Sequence, residues 1–245
     1  MATRRRVEFI GRARRLIHFL VAGIDRRNVL DQCGSMETRQ QDRAIALLEA
    51  RGMVRLSEFI ADGTTAATVS RMERKGLVRQ ISRGLYQLPD APLDPHHALA
   101  AAAKLVPRGV ICLDSALAFH ELTETAPRRV CIAIGLKEWE PRIAQPPVQI
   151  VRFAPQMLKA GTRTRLIAGV SVNIYKPAKT VADLFHYALR QGRDGPKADV
   201  SRALQAMKEG LRLGKATPAE IARYADQAGI WSKVQPYLEA MTVEG

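Results

Sequence analysis

The stretch GTTAATVSRMERKGLVRQISRGLYQLPD, residues 63 to 90, constrains the fold more than any other part of the chain. Asp62-Gly63 breaks the chain, and Thr64 or Thr65 can cap a short helix whose inward face is Ala66, Val69 and Met72. Gly76 ends that helix. Two short strands follow, LVRQI and LYQL, joined by Ser82-Arg83-Gly84, whose glycine accepts the positive φ of a tight hairpin.

The elements upstream complete a module. Residues 39 to 51, RQQDRAIALLEAR, set Ala44, Ile45, Leu47 and Leu48 at helical spacing, and Gly52 stops the helix. Residues 55 to 61, RLSEFIA, predict a second helix with Leu56, Phe59 and Ile60 inward. Three short helices and a hairpin over residues 36–89 describe a winged helix-turn-helix. The proline-rich PDAPLDP marks a boundary, with residues 90–94 as the linker.

Residues 95–245 predict a mixed α/β domain with a helical C-terminal tail, so the fold class is α+β. HHALAAAAKL is an Ala-rich helix, GVICL a strand, and SALAFHEL a helix capped by Ser115 or Asp114. VCIAIG, VQIVRF, RTRLI and VSVNIY are strands. One helix starts at Lys176-Pro177, and another runs from about Asp199 to Gly210. Thr217 with Glu220 has the spacing of a capping box, and WSKVQPYLEAM forms the last helix, with Pro236 inside it.

Charge suggests the partner. Thirty-eight Lys and Arg against 24 Asp and Glu give +14, which favours a polyanion, most often nucleic acid. In a helix-turn-helix the third helix enters the major groove, where small or polar side chains meet base edges. Thr65, Thr68 and Arg71 are the predicted base-reading residues: hydroxyls donate or accept, Thr methyls suit thymine, and Arg forks onto guanine. Arg74 and Lys75, with Arg79 and Arg83 of the hairpin, are placed for phosphate. A merely solvated basic helix is the alternative.

The run TVSRMERKGLVRQISRGLYQLPD, the proline linker and GVICLDSALAFHEL together resemble the AbiEi-type antitoxins of type IV toxin–antitoxin systems, over roughly Met36 to the C-terminus. The resemblance implies a winged domain that binds repeats in its own promoter and represses the operon. It also implies a C-terminal domain that confers antitoxicity against a nucleotidyltransferase toxin, without a tight complex between the two proteins.

Between Glu140 and Asp183 no acidic residue occurs, yet Arg142, Arg152, Lys159, Arg163, Arg165, Lys176 and Lys179 do. They form either a second polyanion-binding face or a scatter of strand ends and loops. Catalysis has little support. Asp114-Ser115 lacks a G-x-S-x-G elbow, no P-loop or D-x-D is present, and the single E-x-K triplet, Glu73-Arg74-Lys75, lies in the third helix. The histidines, including His186 at i+3 from Asp183, have too few companions for a metal site, so neither metal nor cofactor is expected.

Cys112 and Cys131 sit in apolar runs, as buried reduced thiols do, and no apolar run is long enough to span a membrane; a cytoplasmic protein is expected. Residues 1–35 form a basic extension around LIHFLVAGI, and Met36 is the expected natural start. Two other functions stay open: a winged-helix regulator whose second domain binds a small effector, and an enzyme with an unrecognised site.

Overall fold

The computed structural model describes residues 26–189 and 199–243, so most of the predicted basic extension, residues 1–25, lies outside the described residues. The first helix, α1 (Arg26–Arg51), passes through Met36 without a break. A short strand that the periodicity did not predict, β1 (Met53–Arg55), follows Gly52. Next come α2 (Leu56–Ala61), α3 (Ala66–Arg74), β2 (Arg79–Ser82) and β3 (Leu85–Gln87). The three strands form an antiparallel sheet in the order β1-β3-β2. Ala44, Leu48, Val54, Phe59, Val69, Met72, Val78 and Tyr86 pack beneath the helices as this module's own core. Ile60, expected inward, is 55% exposed, because the two-turn α2 buries only Phe59 fully.

The second half is built on a five-stranded sheet. The elements run α4 (His97–Leu105), β4 (Val110–Ile111), α5 (Leu113–Phe119), β5 (Val130–Gly135), β6 (Val148–Phe153), α6 (Pro155–Lys159), β7 (Thr162–Ile167) and β8 (Val170–Tyr175). The helices α7 (Pro177–Leu189), α8 (Val200–Arg212), α9 (Pro218–Gln227) and α10 (Trp231–Val243) complete it. Sheet order is β6-β5-β4-β8-β7, with β5/β6 and β4/β8 parallel and β4/β5 and β7/β8 antiparallel. The N-cap of α5 is Cys112, not Ser115 or Asp114. Ser115 lies one turn into the helix, where its buried hydroxyl accepts from the Cys131 amide at 2.8 Å and so ties α5 to β5.

Strand alternation divides the core in two. Cys131, Ala133, Val151, Phe153 and Tyr175 face α7 to α10, and α7 is buried on nearly every side from Ala178 to His186. Ile132, Ile134, Val172 and Ile174 face α4. Met53 and Leu85 of the N-terminal module sit in that same second cluster, so the two halves share apolar core across the proline-rich segment. Gly52 makes their approach possible. Its φ is +67°, and a Cβ there would stand 2.0 Å from the Ala168 carbonyl oxygen in the β7–β8 turn. Polar contacts reinforce the joint: Arg55 Nη2 donates to Leu105 O at 2.9 Å, Lys104 Nζ meets Glu58 at 2.8 Å, and His97 and Gln87 are 2.6 Å apart.

Candidate nucleic-acid interface

The turn before α3 is made by Asp62-Gly63, with Gly63 at φ +86° and the Asp62 carbonyl held by Arg43 at 3.0 Å. Thr65 is the N-cap, its hydroxyl accepting from the Thr68 amide at 3.2 Å. The phase of the helix differs from the expected one. Thr68, Val69 and Met72 are buried, while Ala66, Ala67, Ser70 and Arg74 are exposed.

Thr68 is therefore not available to base edges. It is 1% exposed, and its hydroxyl donates to Gln40 Oε1 on α1 at 2.7 Å. The same oxygen lies 3.4 Å from the Thr65 hydroxyl and 3.3 Å from the Thr65 amide. A buried hydroxyl is tolerated when it is hydrogen-bonded, and Gln40 supplies that bond. Arg71 is half-buried and pairs with Glu37 on α1 at 3.2 Å; Lys75 reaches the same carboxylate at 3.8 Å. Thr65 remains exposed, though its hydroxyl is engaged in the cap.

Arg74, Arg79 and Arg83 are exposed, and no described carboxylate pairs with them. The outward surface is thus Ala66, Ala67 and Ser70 with Arg74 at the end of the helix, flanked by the hairpin arginines. Small side chains there let a helix approach base edges closely, and Ser70 can donate or accept. The sequence reading missed Ser70 and Ala67; the signal that could have found them is Gln40, an amide positioned to satisfy a buried threonine.

The seven cations of the second half do not share a face. Lys179 is buried and paired with Asp183, its ammonium 4.5 Å from the Tyr175 ring centre and 4.9 Å from that of Phe153. Arg152 binds the carbonyls of Gly135, Leu136 and Glu138, organising the loop after β5. Arg142 lies near the β6 edge of the sheet, whereas Arg163 and Arg165 lie on β7 at the opposite edge. Lys159 is exposed at the end of α6 and Lys176 half-buried after β8.

Buried titratable groups in the second half serve the core. Burial pushes the Cys112 thiol well up and that of Cys131 up to about 11, so both stay as thiols. His120 Nε2 is 2.7 Å from the Tyr175 carbonyl. Among the described residues no group of three His, Cys, Asp or Glu could hold a metal ion, and no helix is long and apolar enough to cross a membrane.

A three-helix module with a hairpin wing, joined to an α/β domain, places this chain among mixed α+β winged-helix folds. Residues 42–89 match the model of a family described as transcriptional regulator, AbiEi antitoxin. The whole fold is similar to the crystal structure of the RV2827C protein from Mycobacterium tuberculosis. That likeness has a TM-score of 0.50 at 13% identity, covers 82% of this chain and 81% of the other, and concerns the fold alone. No curated protein matches the chain.

Proposed function

We propose that the protein is a DNA-binding transcriptional regulator of the antitoxin type. It represses its own operon through promoter repeats and counters a nucleotidyltransferase toxin encoded beside it, acting by regulation rather than catalysis. The observation that carries the reading is the open outer face of α3, formed by Ala66, Ala67, Ser70 and Arg74, within the same residues that match the regulator family. In this reading α3 enters the major groove, Ser70 and Arg74 meet base edges, the alanines lie against thymine methyls, and Arg79 and Arg83 hold phosphates. Arg71 and Lys75 join the phosphate contacts once they leave Glu37.

Two measurements test it. In a mobility-shift assay on the DNA upstream of its reading frame, Arg74→Ala and Ser70→Ala lower affinity and relax sequence preference, and Arg79→Ala flattens the salt dependence by about one unit of slope. Co-expression with the neighbouring gene restores growth that the neighbour alone arrests. Unchanged DNA affinity in both variants, or no neighbour whose toxicity the chain relieves, overturns the corresponding half of the reading.

A small-effector regulator draws on one feature, a cleft of about 460 Å³ between the halves lined by Arg51, Arg55, Glu58 and Lys104. Its cations are already occupied: Glu58 pairs with Arg51 at 3.2 Å and Lys104 at 2.8 Å, and Arg55 holds Leu105 O. That internal satisfaction favours a structural joint over a ligand site.

A further inference from the structure

The wing is not a free flap. Its outer strand β2 faces the loop at residues 142–145 of the second half, with Ile81, Leu105 and Ile143 packed on the same apolar cluster. At the tip, the Gly84 carbonyl accepts from the Leu56 amide at 2.9 Å, which fixes the hairpin to α2. Between strand and loop runs a cleft of about 450 Å³ lined by Gln80, Ser82, Arg83, Arg142 and Gln145 among others.

Two arginines, one from each half, therefore line one cleft. No carboxylate lines it, and neither Arg83 nor Arg142 has an ion-pair partner among the described residues; Glu138 and Glu140, which border the adjoining cleft with Arg142, pair with Arg108 and Arg152 instead. Elsewhere in the joint the cations are answered, as Arg51 and Lys104 are by Glu58. Like charges gathered without a counter-charge oppose folding and suit a site that takes up an anion. The position says which anion. In the order β1-β3-β2, β2 is the edge strand of the wing, and the loop bearing Arg142 borders the same cleft, so an extended polyanion that reaches Arg83 can also reach Arg142.

We infer that Arg142 binds the phosphate backbone of operator DNA next to the phosphates held by Arg83, so that both halves of the chain grip the duplex. This rests on the DNA-binding reading above and extends it: the second half sets part of the footprint, and the docked wing sets the two arginines on one cleft. The neutral lining, Gln80, Ser82 and Gln145, supplies further donors to phosphate oxygens.

The test uses the full chain and a labelled duplex of about three helical turns from the DNA upstream of its reading frame, titrated at several salt concentrations. Arg142→Glu weakens binding about tenfold, and Arg142→Gln lowers the salt slope by about 1. Arg142 is exposed on a loop, so both variants keep the melting temperature of the parent, and the neutral Gln variant decides the matter if the Glu variant does not. If both variants bind DNA as the parent does while Arg74→Ala loses affinity, the inference is overturned and the DNA-binding reading stands. If all three, and Ser70→Ala with them, bind as the parent does, both fall. A saturable rise in melting temperature with inorganic phosphate, abolished by Arg142→Gln while DNA binding is unchanged, assigns the cleft to a free anion and also overturns the inference.

Discussion

Gln40 on α1 accepts a 2.7 Å hydrogen bond from the hydroxyl of Thr68 on α3, and the same oxygen lies 3.4 Å from the hydroxyl of Thr65. One amide thus satisfies a buried threonine and anchors the N-cap of α3. Removing the hydroxyl with Thr68→Val leaves the Gln40 oxygen without its short donor and costs about 1 kcal/mol. Denaturant titration reads the loss, and DNA affinity per folded molecule stays as in the parent. A variant of unchanged stability that no longer binds DNA would return Thr68 to the base-reading set.

Glu37 occupies two cations that the proposed contact with a duplex would use. It sits 3.2 Å from Arg71 and 3.8 Å from Lys75. Both cations are about half exposed in their side chains, so the pairs add little stability. Glu37→Gln therefore leaves the melting temperature nearly unchanged, strengthens binding to a random-sequence duplex severalfold, and steepens its salt dependence. Weaker binding would mean instead that Glu37 orients Arg71 for the groove.

The joint at Gly52 is intolerant of a side chain. A Cβ at a φ of +67°, 2.0 Å from the Ala168 carbonyl, forces the α1 terminus away from the β7–β8 turn. Gly52→Ala costs about 3 kcal/mol and raises amide exchange in β1 and at Val170 together. Exchange confined to the α1 terminus would show that the halves are not coupled through this contact.

Glu58 makes that joint sensitive to acid. Burial pushes its pKa up, but the bonds from Lys104 and the Arg55 amide, with the charges of Lys104 and Arg51, outweigh burial and leave it below its ordinary value. A carboxyl depressed in the fold stabilises above its unfolded pKa, about 4.3, and that stabilisation is lost as pH falls through the folded value. Acid titration accordingly loosens the contact between α2 and α4 before the sheet unfolds, and Glu58→Gln removes that pH dependence.

The buried pair Lys179–Asp183 follows the opposite sign. Burial raises the Asp183 pKa to about 6 against the pull of Lys179. Its contribution to stability is full below the unfolded value, about 3.9, and is lost as pH rises through about 6. Lys179→Met leaves the buried Asp183 carboxylate without its cation above pH 6 and costs about 3–5 kcal/mol. Lys179→Met with Asp183→Leu restores most of the loss. A double variant no more stable than Lys179→Met alone would show that the pair does more than fill the core.

Local chemistry made much of the chain legible. Thr65, Asp199 and Thr217 cap the helices that their spacing predicts, because an N-cap needs only its own amides two or three residues on. The Ser82-Arg83-Gly84 hairpin and the strands VCIAIG and VQIVRF declare themselves through turn chemistry and apolar runs. Net charge and the α3–wing pattern pointed toward a polyanion, the partner that the proposed function takes up.

Long-range contact decided the rest. Helical period fixes that α3 has two faces but not which of Ala66 and Thr68 lies inside, since a small apolar and a small polar residue fit either place. Gln40, far back in the chain, settles it by giving the threonine a partner. Lys179 reads as surface charge until Asp183, Phe153 and Tyr175 close around it. β1 is too short to show a period and exists because β3 pairs with it. Apolar contact across the proline segment then seats the wing beside Arg142, a proximity that no local pattern encodes, because it arises only when two distant surfaces leave water together.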